Sequence, residues 1–432
     1  MIDLLLKNAT VITMEEGAQP IRNAYLGISG RKITWIGENA PEEDSLTTID
    51  CTNKAVLPGF INTHTHLAMS VFRGYADSYD LDTWLREHIW PAEAKLTREA
   101  VRAACALSVA EAVASGTVSV TDMYFYEPEL AELLLEVGMM GNLSNGATCF
   151  TDTYVPSDSR AHREMIELTE RYHGKDGLIK ADASVHGEYT SNAQVWEVMA
   201  GYAKENCLNM HVHLSETRLE HEGCLSRHGM TPTALFAKHG LFDTRTTAAH
   251  CVHVTEEDMG ILAAFDVTAA HDPGGNLKLA SGIMNYPLMK QRGVRVALST
   301  DSACAVNTND MLFDIKLAAI LHRGVHQDAT LLPAFEVLRM ATSAGAYAQG
   351  REHETGVLRV GYDADLIAID LDKPHLLPSH SILSNIVYAA RPSDVWMTMC
   401  KGRVLYRQGQ WLTLDIERVM HDAVHVAQAC IL

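Results

Sequence analysis

The chain offers no disulfide framework to read. Its nine Cys stand at positions 51, 105, 149, 207, 224, 251, 304, 400 and 430, an odd number without any C-x-x-C pair. That argues against a Cys-stapled secreted fold and a thiolate zinc knot, and for reduced, mostly buried thiols. Cations are scarce as well: 35 Lys plus Arg face 54 Asp plus Glu, a formal charge of -19. A field of that sign repels nucleic acid and anionic lipid, so neither is expected as a partner, and neutral or cationic small molecules are the expected ligands. No apolar run reaches spanning length, and the opening MIDLLLKNATVITMEEG has no positive stretch ahead of its apolar residues. Neither a signal peptide nor a membrane segment is expected, and the cytoplasm is the expected compartment. Low-complexity tracts, short-period repeats and flexible linkers are absent too.

What the chain does have is bulk and pattern. Hydrophobic residues make up 47% and charged residues 21% of its 432 positions, the balance of a globular protein with a large core. At roughly 150 residues per domain the length suits about three units, or one large barrel with additions. The first fifty residues read as short strands between turns: DLLLKNATVITM, AYLGISGRKITWIGE and LTTIDCTNKAVLPG. From about Ala55, short β-rich runs alternate with segments of helical composition, the pattern of parallel strands joined by crossover helices. Eight such runs can be counted, at 55–62, 118–122, 142–149, 179–186, 208–214, 245–251, 266–271 and 294–301. Helices are expected over 98–116, with a small-residue face, and over 128–137. Eight repeats predict an α/β fold built on a (β/α)8 barrel.

After Ala346 strand and turn text returns, in TGVLRVGYDADLIAIDLD and SNIVYAARPSDVWMTMCKGRVLYRQGQW. One small β-sandwich assembled from both chain ends is the economical reading, and two separate small domains the alternative. The expected boundaries are 1–56 for the first part of the sandwich, 57–350 for the barrel, 351–415 for the second part and 416–432 for an amphipathic C-terminal helix packed on the barrel or a partner.

Twenty-one His residues are the unusual feature. In a (β/α)8 barrel the loops after the strands build the active site, so histidines at strand ends carry the most information. The first run ends in PGFINTHTHLAM, where His64 and His66, two apart on an extended segment, face the same side. The fifth run ends HVHLSE, the sixth AAHCVH, the seventh AAHD and the eighth LSTDS. Taken singly, a His at a strand end is more often a hydrogen-bonded structural residue than a ligand. Together, imidazoles and a carboxylate at five strand ends suit a borderline divalent ion such as zinc or ferrous iron, which takes three imidazoles and a carboxylate and keeps a position open for water.

The segments PGFINTHTHLAM, DTWLREHIWPAEAKLT, HVHLSET, AAHCVH, NLKLASGI, LSTDSA and ETGVLRVGYDADLIAID carry a resemblance that covers nearly the whole chain. It resembles the amidohydrolase superfamily and, within it, the deaminases of 5-methylthioadenosine and S-adenosylhomocysteine. The resemblance implies a distorted (β/α)8 TIM-like barrel with a composite β-sandwich. It implies one divalent ion, Zn2+ with Fe2+ as the alternative, held by His64, His66, His213 and Asp301. It also implies that Glu216 shuttles protons, that His250 orients the attacking water, and that Asp301 accepts the proton of that water. Glu93 then matches a residue on the ribose hydroxyls and His186 one on the purine, with Glu216 and Asp301 also facing the substrate. His211, two residues deeper than His213, is read as a core or ligand-supporting histidine. A binuclear centre is not expected, because its bridging lysine would end strand four, where this chain has His186 and its nearest lysine, Lys180, lies at the strand's start. His221, His228, His239, His322, His326, His353, His375 and His380 are read as surface or structural.

Two departures from the family pattern stand out. Where relatives have His-Asn-Pro and a serine before NLKL, this chain has HDPGGNLKL from His271. Members that accept S-adenosylhomocysteine carry an arginine where this chain has Asn145, and an amide cannot form the charge-assisted fork a guanidinium gives a carboxylate; Arg160 of the next loop could replace it. Neutral 5'-modified adenosines are therefore expected ahead of S-adenosylhomocysteine, and the resemblance implies a homo-oligomer. The implied reaction is hydrolytic deamination of an adenine nucleoside to the inosine analogue and ammonia. A rival on the same fold is attack on a free base or other heterocycle, such as guanine, 8-oxoguanine, cytosine, pterin or triazine; Glu93 speaks against it, since a ribose-binding carboxylate has no use with a free base. A noncatalytic scaffold is a rival of another class, and the retention of every matched ligand with Glu216 and His250 speaks against that.

Overall fold

Each of the eight expected runs overlaps a parallel strand: Phe60–Thr65, Thr117–Met123, Met140–Ser144, Ile179–Val185, Asn209–Leu214, Thr246–His250, Thr268–His271 and Arg295–Leu298. The computed structural model, which describes residues 1–431, places them side by side in chain order. Every residue of Phe60–Thr65 and of Thr117–Met123 is buried, because a barrel strand lies between the packed interior and the ring of helices.

The barrel is nearly closed, and its seam is made by side chains. Between the first and last strands Asn62 donates to Thr300 Oγ1 at 2.8 Å and accepts from Thr300 N at 3.1 Å, while Thr63 Oγ1 donates to Leu298 O at 3.1 Å. Asp301 N then reaches His64 O at 3.1 Å. Two strand ends that carry chemistry are thus joined directly.

The first expected run divides between two sheets. Lys54–Pro58 belongs to the small sheet, and the chain crosses to the barrel at Gly59, whose N–H donates to Asp365 O at 3.1 Å. An added Cβ at Gly59 would lie 2.3 Å from Val118 Cγ1. Hydrophobic pattern cannot reveal this crossing, since one residue separates two apolar strands.

The small sheet has nine strands drawn from both chain ends. Lys54–Pro58 pairs in parallel with Ile2–Val11 and antiparallel with Leu366–Asp370, which ties the two ends together. The layers of the expected sandwich form one continuous sheet that curls until Lys32 bridges Asp363, with Ala364 N on Arg31 O at 2.7 Å. Leu6, Leu26, Ile28, Val56, Leu366 and Met397 fill its own core.

The expected helices form at Arg98–Ala114 and Glu127–Val137. Thr97 caps the first by accepting from Ala100 N at 3.2 Å. Its small residues admit the turn after strand one: Ser70 Oγ reaches Ala104 O at 2.8 Å, and Ser108 Oγ reaches Leu67 O at 2.7 Å. The C-terminal helix, Ile416–Ile431, packs on the same helix; Leu432, the last residue of that expected helix, lies outside the described residues. Seven of the nine thiols are buried and none is bridged. Among the described residues no helix is long and apolar enough to cross a membrane.

Gly59→Ala should destabilise the chain by about 1–3 kcal/mol through overpacking. Gly201→Ala, in a helix with nothing within 4 Å of the added Cβ, should be neutral or stabilising. Thermal unfolding of the two variants beside the parent checks the contrast; equal melting temperatures would mean that the crossing does not require glycine.

Candidate metal and substrate site

Strand ends and the loops that follow them gather the expected residues around one cavity. His66, Glu93, His186, His213, Glu216, His250 and Asp301 all line a hollow of about 330 Å³, a size typical of small-molecule sites. His64 lies beneath it, fully buried. Glu93 arrives from a helical run over 81–93 whose middle, Trp84–Ile89, is a π-helix, a widened turn often found at functional sites.

Each imidazole is aimed by a partner on Nδ1. His64 Nδ1 meets His211 Nε2 at 2.9 Å, His213 Nδ1 donates to His186 O at 2.6 Å, and His66 Nδ1 donates to Met123 O. His211 thus supports a neighbouring ring, as expected of a histidine two residues deeper than His213. A carbonyl oxygen only accepts, so in His66 and His213 the proton sits on Nδ1 and a neutral ring turns a bare Nε2 inward. Burial pushes His66 down to about 3 and holds His64 and His213 well below the ordinary histidine range, so the rings are neutral.

These bare nitrogens do not satisfy one another. His66 Nε2 and His213 Nε2 stand 3.2 Å apart, with no hydrogen available between them. His64 Nε2 is buried without a hydrogen-bond partner. Asp301 Oδ1 lies 4.0 Å from His64 Nε2 and 3.7 Å from His66 Nε2. A cation shared among three imidazoles and one carboxylate would remove all of these misfits, and that donor set fits a borderline divalent metal. His250 is near enough to join the donors: ligand atoms of His64, His213 and His250 lie within 4.8 Å of one another, as do those of His64, His66 and Asp301.

Around this cluster the remaining groups are held and tuned. His250 stacks on His213 with ring centroids 5.3 Å apart, and its Nδ1 meets Asn276 Oδ1 at 2.9 Å. Its Nε2 is 3.7 Å from Glu216 Oε2. Ser281 Oγ donates to Glu216 Oε1 at 2.9 Å, but burial outweighs that bond and raises Glu216 to about 7. Burial likewise lifts Asp301 to about 7. Glu93, raised to about 7 by burial, accepts a 2.6 Å hydrogen bond from Tyr124 OH. His186, lowered to about 4 by burial, meets Thr190 Oγ1 at 3.0 Å.

Residues flagged by the two departures behave differently from one another. Asn145 is buried, donates its amide to Glu164 Oε2 at 2.8 Å and is not on the cavity wall. Arg160 is on that wall, its guanidinium over Phe125 at 5.2 Å and Tyr126 at 4.8 Å. Position 145 is a partner for Glu164 that lines an adjoining hollow, and the cation of position 160 faces both that hollow and the main cavity. His271 pairs with His322 at 3.0 Å, away from the cavity, and Asp272 of the same motif sits 3.5 Å from His250 Nδ1. His221 bonds Ser215, His228 bonds Glu188 and His375 bonds Asp394. Lys180 donates to Gly350 O at 2.6 Å and does not line the cavity.

Sequence reasoning missed Tyr124 and the aromatic wall of Trp84, Trp90 and Phe150, as well as the supports Asn276 and Ser281. The last two lay inside NLKLASGI, a segment recognised as a motif without a role for either residue. Tyr124 finds Glu93 across 31 residues, a contact no spacing rule reaches.

Comparison with known proteins agrees with this architecture. Residues 55–405 match the amidohydrolase family. The 5-methylthioadenosine/S-adenosylhomocysteine deaminase of Thermoanaerobacter pseudethanolicus is 38% identical, over 98% of this chain and 97% of its own. The 5'-deoxyadenosine deaminase of Methanosarcina acetivorans is also 38% identical, over 99% and 98%. A crystal structure of an adenosine deaminase from Xanthomonas campestris with bound zinc superposes with a TM-score of 0.93 at 29% identity, covering 99% of this chain and 98% of that one.

His66→Ala should reduce the divalent metal retained after dialysis by at least about tenfold, because one of the converging donors is gone. Elemental analysis of parent and variant checks this, and unchanged content would remove His66 from the donor set.

Proposed function

Since the chain belongs to the amidohydrolase family, we propose that it is a metal-dependent aminohydrolase that removes the 6-amino group of adenine nucleosides as ammonia, leaving the inosine analogue. Its substrates are 5-methylthioadenosine, 5'-deoxyadenosine and adenosine, with S-adenosylhomocysteine in range. One observation carries this reading: a single cavity joins a buried ribose-type carboxylate, Glu93, to a proton-carrying pair, Glu216 and Asp301, beside converging imidazoles. The relatives named above, deaminases of such nucleosides, support it.

His64, His66, His213 and Asp301 would hold the metal, a borderline divalent ion that we take as Zn2+, with Fe2+ as the alternative. When bound, such an ion lowers the pKa of water toward about 7 and so supplies hydroxide at neutral pH. Asp301 accepts the proton released as water adds to the ring carbon bearing the amino group. His250, with Nδ1–H directed at Asn276, offers Nε2 as an acceptor that orients the incoming water. Glu216, raised by burial to about 7 so that it can carry a proton near neutral pH, gives that proton to the adjacent ring nitrogen, and the proton taken up by Asp301 then passes, with Glu216's help, to the departing ammonia. Glu93, steadied by Tyr124, accepts from the ribose hydroxyls, and His186 contacts the purine. Trp84, Trp90 and Phe150 give the cavity an apolar side suited to a methyl or methylthio group, and Arg160 can pair with a carboxylate.

Ammonia release by the zinc-loaded chain, assayed on adenosine, 5'-deoxyadenosine, 5-methylthioadenosine, S-adenosylhomocysteine, guanine and cytosine, tests the assignment. Nucleosides should be turned over and free bases not; the reverse result would leave the metal site standing and overturn the nucleoside reading. In the same assay Glu216→Gln should retain metal yet lose about 10²–10⁴ in turnover. Full activity in that variant would defeat the proton route.

A further inference from the structure

Asp122, the last residue but one of the second barrel strand, is fully buried, does not line the cavity and has no part in the chemistry above. Its Oδ2 nevertheless accepts two short hydrogen bonds, from Thr65 Oγ1–H at 2.6 Å and from Leu67 N–H at 2.7 Å. Those two residues flank His66. The next residue on the same strand, Met123, takes the Nδ1 proton of His66 on its carbonyl. The end of strand two therefore grips the chain before His66, the chain after it, and the ring.

The grip follows from chain geometry. Side chains alternate along a strand, so Thr65 points away from the face shared by His64 and His66 and toward strand two. After His66 the chain enters a 3-10 turn, Leu67–Phe72, whose first N–H groups lack partners within the turn. His66 offers no side-chain cap, so Asp122 supplies the acceptor from the neighbouring strand.

Asp122 is itself backed by a second carboxyl. Glu127, 1% exposed at the start of the next helix, is held well above the usual carboxylate range by burial and by the charge of Asp122. Asp122 Oδ1 and Glu127 Oε2 are each buried without a hydrogen-bond partner. An unpaired buried carboxylate costs several kcal/mol, and the two bonds from Thr65 and Leu67 offset that cost at Asp122.

We infer that Asp122 is a positioning residue that fixes the exit from strand one so that His66 Nε2 converges with His213 and Asp301 on a metal ion. The inference rests on the reading of His66 as a metal ligand. Outer partners of metal-binding histidines typically govern affinity by about 10–100-fold, and Asp122 acts on the backbone on both sides of one.

Zinc affinity of the stripped full-length chain, measured by competition with a chromophoric chelator, is the readout, alongside thermal unfolding of the metal-free chain. Asp122→Ala should weaken zinc binding about 10–100-fold, with activity restored by excess zinc. Asp122→Asn, whose amide oxygen can accept the same two bonds, should stay within about threefold of the parent. Thr65→Val removes one of the two donors, keeps the side-chain shape and should fall between them; it decides the matter should Asp122→Ala fail to fold. Parent-like zinc affinity in folded Asp122→Ala, or in Thr65→Val when that variant decides, would overturn the inference even if the metal-free chain melts at a lower temperature, since that pattern marks a purely structural role. A parent chain that binds no zinc would overturn the metal-site reading, and this inference with it.

Discussion

Two bare ring nitrogens facing each other at 3.2 Å at the barrel mouth set the terms for the site. The pair persists because each ring has its other nitrogen committed to a carbonyl, His66 on Met123 and His213 on His186. A change of tautomer would put a hydrogen between the two Nε2 atoms and relieve the repulsion, but it would break the ring's bond to the carbonyl and turn a ring lone pair toward that oxygen. Each buried group left without a partner costs about 1–3 kcal/mol. The fold therefore carries an electrostatic misfit that a shared cation would remove, and binding such an ion would add its free energy to the stability of the folded chain.

The same requirement accounts for the irregular barrel seam. His64 and Asp301 come from the first and last strands, and they approach only if those strands meet at their ends. A continuous backbone ladder is replaced there by Asn62, Thr63 and Thr300, whose side chains bond across the gap. Below the seam the first strand must leave the small sheet and enter the barrel within one residue, so Gly59 lies against Val118. The small sheet, stitched from both chain ends through Lys54–Pro58, anchors the strand that carries His64 and His66.

Much of this is written in local pattern, and the rest is not. Eight β-rich runs separated by helical segments were enough to expect the barrel, because each parallel strand announces itself by apolar, β-branched residues over a few positions. Histidines at strand ends were enough to expect a metal, since strand ends converge in any such barrel. What stayed hidden depends on side chains that meet across the chain. Asn145 was read from the sequence as a departure with Arg160 as its possible replacement, but its own partner, Glu164, 19 residues on, could not be read there. Tyr124 beside Glu93 and the Asp122–Glu127 pair are equally invisible, because a buried polar residue in an apolar run looks the same whether it supports a ligand or merely satisfies the backbone. The crossing at Gly59 was lost for the opposite reason: pattern saw one apolar run where geometry needs two.

Backbone conformation at the strand ends gives this arrangement its physical character. Ser215, His250 and Asp301 all have positive φ, at 48°, 71° and 63°, a region that costs a non-glycine residue about 1–3 kcal/mol. Glycine would remove that cost, but at His250 and Asp301 it would also remove the imidazole and the carboxylate. The chain keeps the strain because a strand that simply continued would carry these side chains past the mouth of the barrel instead of turning them into it. Three sharp exits, together with the crossing at Gly59 and the capped exit after His66, mean that the active geometry is imposed by the surrounding barrel and not chosen by the local chain.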